Sequence, residues 1–341
     1  MTFKLKANGS EPIYKQLVTQ VERALRNGNL PAGEMLPSMN SLAYSLGISR
    51  ETVKKAYSIL TERGAIVPKH GKGFFAADLS DSARPQVLVI FDKFSLYKQI
   101  IFNAFSEKLG NEAEITIFNH NQSLDLLEYY LDNNLDNFDY YVVTPHFPLD
   151  EESQKRACRQ LNRIPRRKLI MLDRLQPGYT GNFGAVYQDF ENDIRTGLEE
   201  GLSAASPGRL LRVITLPSSL YGGIIRKGVE AFALEHGVRV QYLSDIPDDI
   251  NEGDTFLLLN SQLGSNLVAL AHKIQESGLQ IGRDVRIISY NETDMHELVL
   301  GGLTTVSTDF REMGRLAAGM ILSHKMEKIH CPFHMTRRNT F

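Results

Sequence analysis

Apolar positions along the chain follow two rhythms, and the change falls near residue 77. In the first stretch Ile13, Leu17, Val18, Val21 and Leu25 recur every three or four residues. They predict an amphipathic helix over Glu11–Asn27, with Ser10 as N-cap and Pro12 in the first turn. A Gly- and Pro-containing connection, NGNLPAGEMLPS, leads to Ser38 as a second cap. The short helix that follows turns Leu42, Ala43 and Leu46 inward and stops at Gly47. Ser49 then opens RETVKKAYSILTERG, a third helix with Val53, Ala56, Tyr57 and Leu60 on its buried face and Arg50, Thr52, Lys54 and Lys55 on or near its exposed one. Ala65–Val67 and Gly73–Ala76 are expected to pair as a ribbon around the tip PKHGKG.

After Pro85 short apolar runs (VLVIF, ITIF, YYVVT, KLIML, RVITL, VQYL, TFLLL, RIISY) alternate with stretches of helical periodicity. Buried strands alternating with helices predict an α/β domain with doubly wound parallel sheets. About ten strands exceed one comfortable sheet, so two lobes are expected. The predicted layout is 1–77 as a first domain, 78–84 as linker and 85–341 as a two-lobed domain. Lobe one would take about 85–188 and 309–325, and lobe two about 189–308 and 326–341.

Charge sharpens this division. Residues 1–77 hold eleven Lys and Arg against five Asp and Glu, a net +6 that leaves −8 for residues 78–341. Attraction for a polyanion therefore sits in the first quarter. With 42% hydrophobic and 23% charged residues the chain has the composition of a globular protein, and two cysteines support no disulfide framework. No apolar run suits a signal peptide or a membrane span, which predicts a cytoplasmic protein without a membrane partner.

A helix, a short Gly-containing turn and a second helix can lay that second helix into the DNA major groove. The basic tip with Lys69, His70 and Lys72 suits a wing that touches phosphate or the minor groove. The expected first domain is thus a winged helix-turn-helix of α+β class. Over PIYKQLVTQVERALRNGNLPAGEMLPSMNSLAYSLGISRETVKKAYSILTERGAIVPKHGKGFFA the chain resembles the GntR family of bacterial transcription regulators. That resemblance implies Ser38, Ser49, Arg50, Thr52, Lys54, His70 and Gly71 as DNA contacts; Lys55 and Lys72 join them from their place on the same surfaces. Asn40 stands where the family usually has arginine. Ser38 and Ser49 either cap only or both cap and touch phosphate, and Lys54 and Lys55 are either contacts or solvated.

In open parallel sheets ligands collect beyond the carboxyl ends of the strands. Those loops offer Asp92, Ser95 and Tyr97, then His146, Asp173 and Arg174, then Gln188 and Asp189. From the second lobe come Tyr221, Arg226, Asn260, Asn291 and Glu292. Carboxylates, amides, arginines and aromatics suit a neutral polyhydroxylated ligand, and the absence of G-x-x-x-x-G-K-[ST] speaks against a nucleotide. No cofactor, metal site or catalytic pair is expected, since neither HExxH nor CxxC occurs and no nucleophile–base pair stands out. LIMLDR with AVYQDF, GGIIRKGVEAF, DTFLLLNSQLGSNLVAL, GRDVRIISYNETD and LTTVSTDFREMGRLAAGMIL resemble the effector half of LacI-type repressors and the periplasmic sugar-binding proteins. The resemblance implies sugar contacts from Asp92, Ser95, Tyr97, Asp173, Arg174, Arg226, Asn260, Asn291, Thr308 and Asp309. It also implies a homodimer on double-stranded operator DNA with a small-molecule sugar effector. The combination resembles arabinose-type repressors, which points to a pentose or deoxyhexose such as L-arabinose or L-fucose; a phosphosugar or nucleobase is the alternative. Asp173–Arg174 is otherwise an internal salt bridge, Arg226 a pin between its helix and a neighbour, and His146 an ordinary loop histidine.

Overall fold

The first rhythm becomes α1 (Ile13–Arg26), α2 (Met39–Leu46) and α3 (Arg50–Glu62), followed by β1 (Ile66–Lys69) and β2 (Gly73–Ala76). The computed structural model describes residues 3, 5, 12–26, 28–78, 84–135, 137–202, 210–215, 219–259 and 265–341, and its contacts divide the chain into Met1–Pro85 and Gln86–Phe341. Ser10, Asn260 and most of the expected linker lie outside the described residues. In the first unit the apolar faces of the three helices meet in one core around Leu17, Val21, Val53, Tyr57 and Leu60. The ribbon reaches further than the apolar alternation suggested. Pro68 pairs opposite Phe74 and Lys69 opposite Gly73, so the tip shrinks to His70–Lys72. Proline is tolerated because β1 is an edge strand that needs no further donor there.

The second unit has two six-stranded sheets. Lobe one orders its strands β13-β7-β6-β5-β3-β4, all parallel: β3 (Gln86–Phe91), β4 (Glu114–Asn119), β5 (Tyr140–Val143), β6 (Leu169–Asp173), β7 (Gly184–Tyr187) and β13 (Lys328–His330). Lobe two orders β14-β12-β11-β10-β8-β9: β8 (Leu210–Ile214), β9 (Arg239–Leu243), β10 (Thr255–Leu258), β11 (Arg286–Tyr290), β12 (Thr304–Thr308) and β14 (Phe333–Thr336). Only β14 is antiparallel, along β12. Helices α4 (Leu96–Leu109), α5 (Leu124–Asn134), α6 (Glu151–Leu161) and α10 (Phe310–Ser323) belong to lobe one; α7 (Phe190–Leu202), α8 (Gly222–His236) and α9 (Ser265–Glu276) belong to lobe two. Each sheet is buried on both faces, which is why its central strands read as unbroken apolar runs.

Two corrections follow. Among the described residues the domain has twelve strands, not ten, and 326–331 belongs to lobe one, because β13 hydrogen-bonds along β7 as its edge strand. The chain therefore crosses between lobes three times, near residues 188–190, 308–310 and 331–332. The crossings are tied to one another. Thr308 Oγ1 donates to Gln188 Oε1 at 2.6 Å, Asp309 N–H to Pro332 O at 2.9 Å and Cys331 N–H to Tyr187 O at 2.8 Å. Beside them His330 Nε2 lies 2.6 Å from Asp193 Oδ1, and burial pushes the Asp193 carboxyl up to about 6. Two glycines set the helix packing: a Cβ on Gly314 would meet Ile101 O at 2.3 Å, and one on Gly228 would meet Glu191 O at 2.1 Å. Among the described residues no helix is long and apolar enough to cross a membrane.

Candidate nucleic-acid interface and ligand cleft

Both serines at the helix-turn-helix are caps. Ser38 Oγ accepts from Ser41 N–H at 3.1 Å, and Ser49 Oγ accepts from Thr52 N–H at 3.1 Å while lying 2.8 Å from Thr52 Oγ1. Gly47, at φ 63°, ends α2 in the left-handed region and turns the chain into α3. Arg50 stands exposed at the first position of α3, where free N–H groups and the helix dipole add to its positive charge. Lys54 leans toward Glu51 at 3.8 Å, whereas Lys55 lies 4.0 Å over the Tyr14 ring and is drawn back to α1. At the ribbon tip Lys72 N–H donates to Lys69 O at 3.0 Å, Gly71 takes φ 70°, and His70, Gly71 and Lys72 are exposed.

In the second unit the carboxyl ends of β3, β5, β6 and β7 bring Asp92, Thr144, His146, Asp173 and Gln188 together. The group that organises them is Lys98, on the inward face of α4 one turn above Ile101. Its Nζ is 3.4 Å from Asp92 Oδ1 and bonds directly to Asp173, with all three side chains buried. Thr144 Oγ1 donates to Asp92 at 3.1 Å, and the Gln188 amide donates to the other Asp173 oxygen. Burial alone would push both acids up. The Lys98 ammonium overrides it and holds them below the usual carboxylate range, and they in turn raise Lys98 against its own desolvation. Asp173 adopts φ 74°, a conformation that costs a non-glycine residue about 1–3 kcal/mol and is sustained by these partners. Beneath the cluster His120 Nε2 is 2.9 Å from Thr144 O, and its Nδ1 accepts from Gln122 N–H at 3.1 Å. Burial lowers this histidine to about 4 and keeps it neutral.

Lobe two faces this cluster with aromatic surface. Tyr221 stacks on Phe190 at 4.5 Å, meets His146 edge-on at 5.1 Å and lies 5.2 Å from the Arg174 guanidinium. Among the described residues ten buried side-chain N or O atoms have no hydrogen-bond partner. Three of them, on His146, Arg174 and Tyr221, belong to side chains that touch across the two lobes, and two more, on Tyr290 and Asn291, stand at the carboxyl end of β11. His146 Nε2 is 3.0 Å from Asp173 but lacks a hydrogen bond's alignment. Asn291, like Asp173, sits at positive φ, 68°.

Residues 13–76 match the family described as bacterial regulatory proteins, gntR family, and residues 215–338 match the periplasmic binding protein-like domain. The chain joins a GntR domain to a periplasmic-binding-protein-like domain. The HTH-type transcriptional regulator TreR of Bacillus subtilis (strain 168) is 29% identical over 141 residues, 41% of this chain and 53% of that protein. The match thus spans about half the length of that relative. The solved trehalose repressor from Escherichia coli superposes with a TM-score of 0.57 at 17% identity, covering 74% of this chain and all of that one. The E. coli transcriptional repressor ascG gives 0.58 at 13%, covering 76% and 99%. These structural likenesses are likenesses of fold.

Within the periplasmic-binding-protein-like domain, the cleft gathers Asp92, His146, Asp173, Arg174, Tyr221 and Thr308, with Asn291 at the end of β11. Other candidates stand elsewhere or are committed locally. Arg226 is exposed, pairs with Glu230 at 2.7 Å and lies 4.1 Å over Tyr242, so it braces α8 against β9 rather than meeting the cleft. Glu292 is bound to Arg338 and accepts from Thr305 at 2.9 Å. Asp189 accepts from the Asn192 amide at 2.7 Å at the head of α7. Ser95 and Asp309 cap α4 and α10, and Tyr97 packs 5.2 Å from Phe310. Lys98 went unseen because lysine reads as surface; its signal is the spacing that puts it in line with Ile101 and Phe105. Glu199, Glu235 and His236 bring metal-ligand atoms within 4.8 Å of one another, but Arg195 already bonds both carboxylates, at 3.0 and 3.2 Å.

Proposed function

We propose that this protein is a sequence-specific transcription regulator whose GntR domain reads operator DNA under the control of a sugar-class small molecule held between the two lobes. The observation that carries the reading is the concentration of unpartnered buried polar atoms from both lobes at one cleft, in a chain that also bears a capped, cationic helix-turn-helix. Buried polar groups are normally satisfied, so such a cluster marks where a polyhydroxylated ligand supplies the missing partners. Ligand contacts to Arg174 and His146 of lobe one and to Tyr221, Tyr290 and Asn291 of lobe two would bias lobe closure. By linkage the same coupling changes DNA affinity, with two copies pairing on a near-palindromic site. Among the described residues nothing in the cleft selects a pentose or deoxyhexose over another sugar. The reading is of a binding protein: the two acids at its centre are engaged by Lys98 rather than free to exchange protons.

The test is selection of DNA from a random library, followed by operator affinity measured with and without sugars. The reading requires one enriched sequence, and a sugar that changes its Kd while the Arg226→Ala protein responds like the parent. Enrichment no better than bulk DNA, or an operator affinity indifferent to every sugar class, would overturn it.

A further inference from the structure

Counted from the sequence, the acids of the cleft argue for a neutral ligand; the structure changes that sum. Asp92 and Asp173 share the Lys98 ammonium and accept from Thr144 and Gln188, which leaves that trio one negative charge rather than two. Arg174 is different. It is 9% exposed, its Nη1 is fully buried without a partner, and no carboxylate among the described residues lies within ion-pair distance of it. The comparison within the same domain is Arg212, 2% exposed, which holds Asp249 at 3.1 Å and Asp254 at 3.2 Å. A buried guanidinium left unpaired is costly, so it is retained where a ligand completes it. The other orphaned atoms point the same way. The Tyr221 and Tyr290 hydroxyls can donate as well as accept, His146 Nε2 does either according to its tautomer, and Asn291 Oδ1 accepts, so with Arg174 up to four donors can face one fixed acceptor. Such a set matches a group that only accepts.

We infer that the ligand of this cleft carries an anionic group, a phosphate ester or a carboxylate, which pairs with Arg174. This rests on the reading of the cleft as the ligand site.

The test compares the full-length protein with Arg174→Met and Arg174→Lys in thermal unfolding at matched ionic strength in chloride, phosphate, sulfate and acetate. Glucose, glucose 6-phosphate and glucuronate are then titrated. Removal of an unpaired buried charge raises the chloride midpoint of Arg174→Met by about 2–4 °C. Phosphate or sulfate raises the parent's midpoint over chloride, Arg174→Lys keeps part of that response, and Arg174→Met loses it. An anionic sugar binds about tenfold tighter than its neutral parent, again only with the charge present. The ester or the uronate arm, whichever binds, names the source. A lower chloride midpoint for Arg174→Met together with identical anion responses in all three proteins overturns the inference. So does glucose binding as tightly as its charged derivatives, although the ligand-site reading then stands. If neither anions nor any sugar shift the parent, both readings fall.

Discussion

Replacing Lys98 by methionine keeps most of the side-chain volume and removes the ammonium that Asp92 and Asp173 share. Breaking a buried pair by deleting one partner costs about 3–5 kcal/mol, because the remaining charge is stranded. For a unit of this size that lowers the unfolding midpoint by about 6–20 °C. The pH dependence carries the diagnosis. In the parent, Asp173 stays ionised far below the unfolded value of about 3.9, so its stabilisation is complete above pH 5 and is lost only in stronger acid. In Lys98→Met both carboxyls are buried without an ammonium and their folded-state pKa rises above the unfolded one. The folded state then holds more protons than the unfolded, and stability grows as pH falls from 8 toward 5. Urea unfolding at pH 8 and pH 5, followed by tyrosine fluorescence in this Trp-free chain, reads both effects. Adding Asp92→Asn and Asp173→Asn to Lys98→Met should recover part of the loss. A deficit below about 1 kcal/mol at pH 8, or one equal at both pH values, would refute the account of the cluster.

Other outcomes follow from single contacts. Arg50→Ala, exposed at the head of α3, should weaken operator binding by about 1–3 kcal/mol while leaving the unfolding midpoint unchanged, measured by fluorescence anisotropy at fixed salt. Gly228→Ala should destabilise by about 2 kcal/mol or more, since its Cβ would strike Glu191 O and Ile194, whereas Gly223→Ala, with nothing within 4 Å, should be neutral or slightly stabilising in the same urea assay. His120 should titrate near 4 by NMR, and protein stability should fall as pH drops from about 6.5 to about 4, because the unfolded chain takes up that proton first. A His120 titration near 6.5 would count against a buried neutral ring.

The fold was legible wherever burial is two-sided. VLVIF, KLIML, TFLLL and RIISY read as strands because helices cover both faces of each sheet. TTVST reads as polar, yet all five residues of β12 are buried, since its hydroxyls find partners: Thr304 Oγ1 donates to Arg338 O at 3.3 Å, and Thr305 Oγ1 to Glu292 at 2.9 Å. The edge strands β13 and β14 carried no alternation to find, being short and half exposed. At the site, chemistry-bearing loop residues were visible as types but not as partners. Asp173 and Arg174 are adjacent in sequence and looked like a salt bridge, but the acid bonds Lys98, seventy-five residues away, and the arginine bonds neither. Arg226 looked like a cleft residue because it follows a strand-to-helix loop; Glu230, one turn on, claims it instead.

The threefold crossing of the chain also sets the order in which this protein can be built. The GntR domain closes its own core by Ala76 and can fold as soon as that stretch leaves the ribosome. Neither lobe of the second unit has that freedom. Sheet one waits for β13 and for α10, whose Gly314 packs against Ile101, and sheet two waits for β12 and β14. A stop codon falling after Leu303 would strip strands from both sheets at once, leaving a folded DNA-reading head attached to two unfinished, edge-exposed lobes open to aggregation and proteolysis.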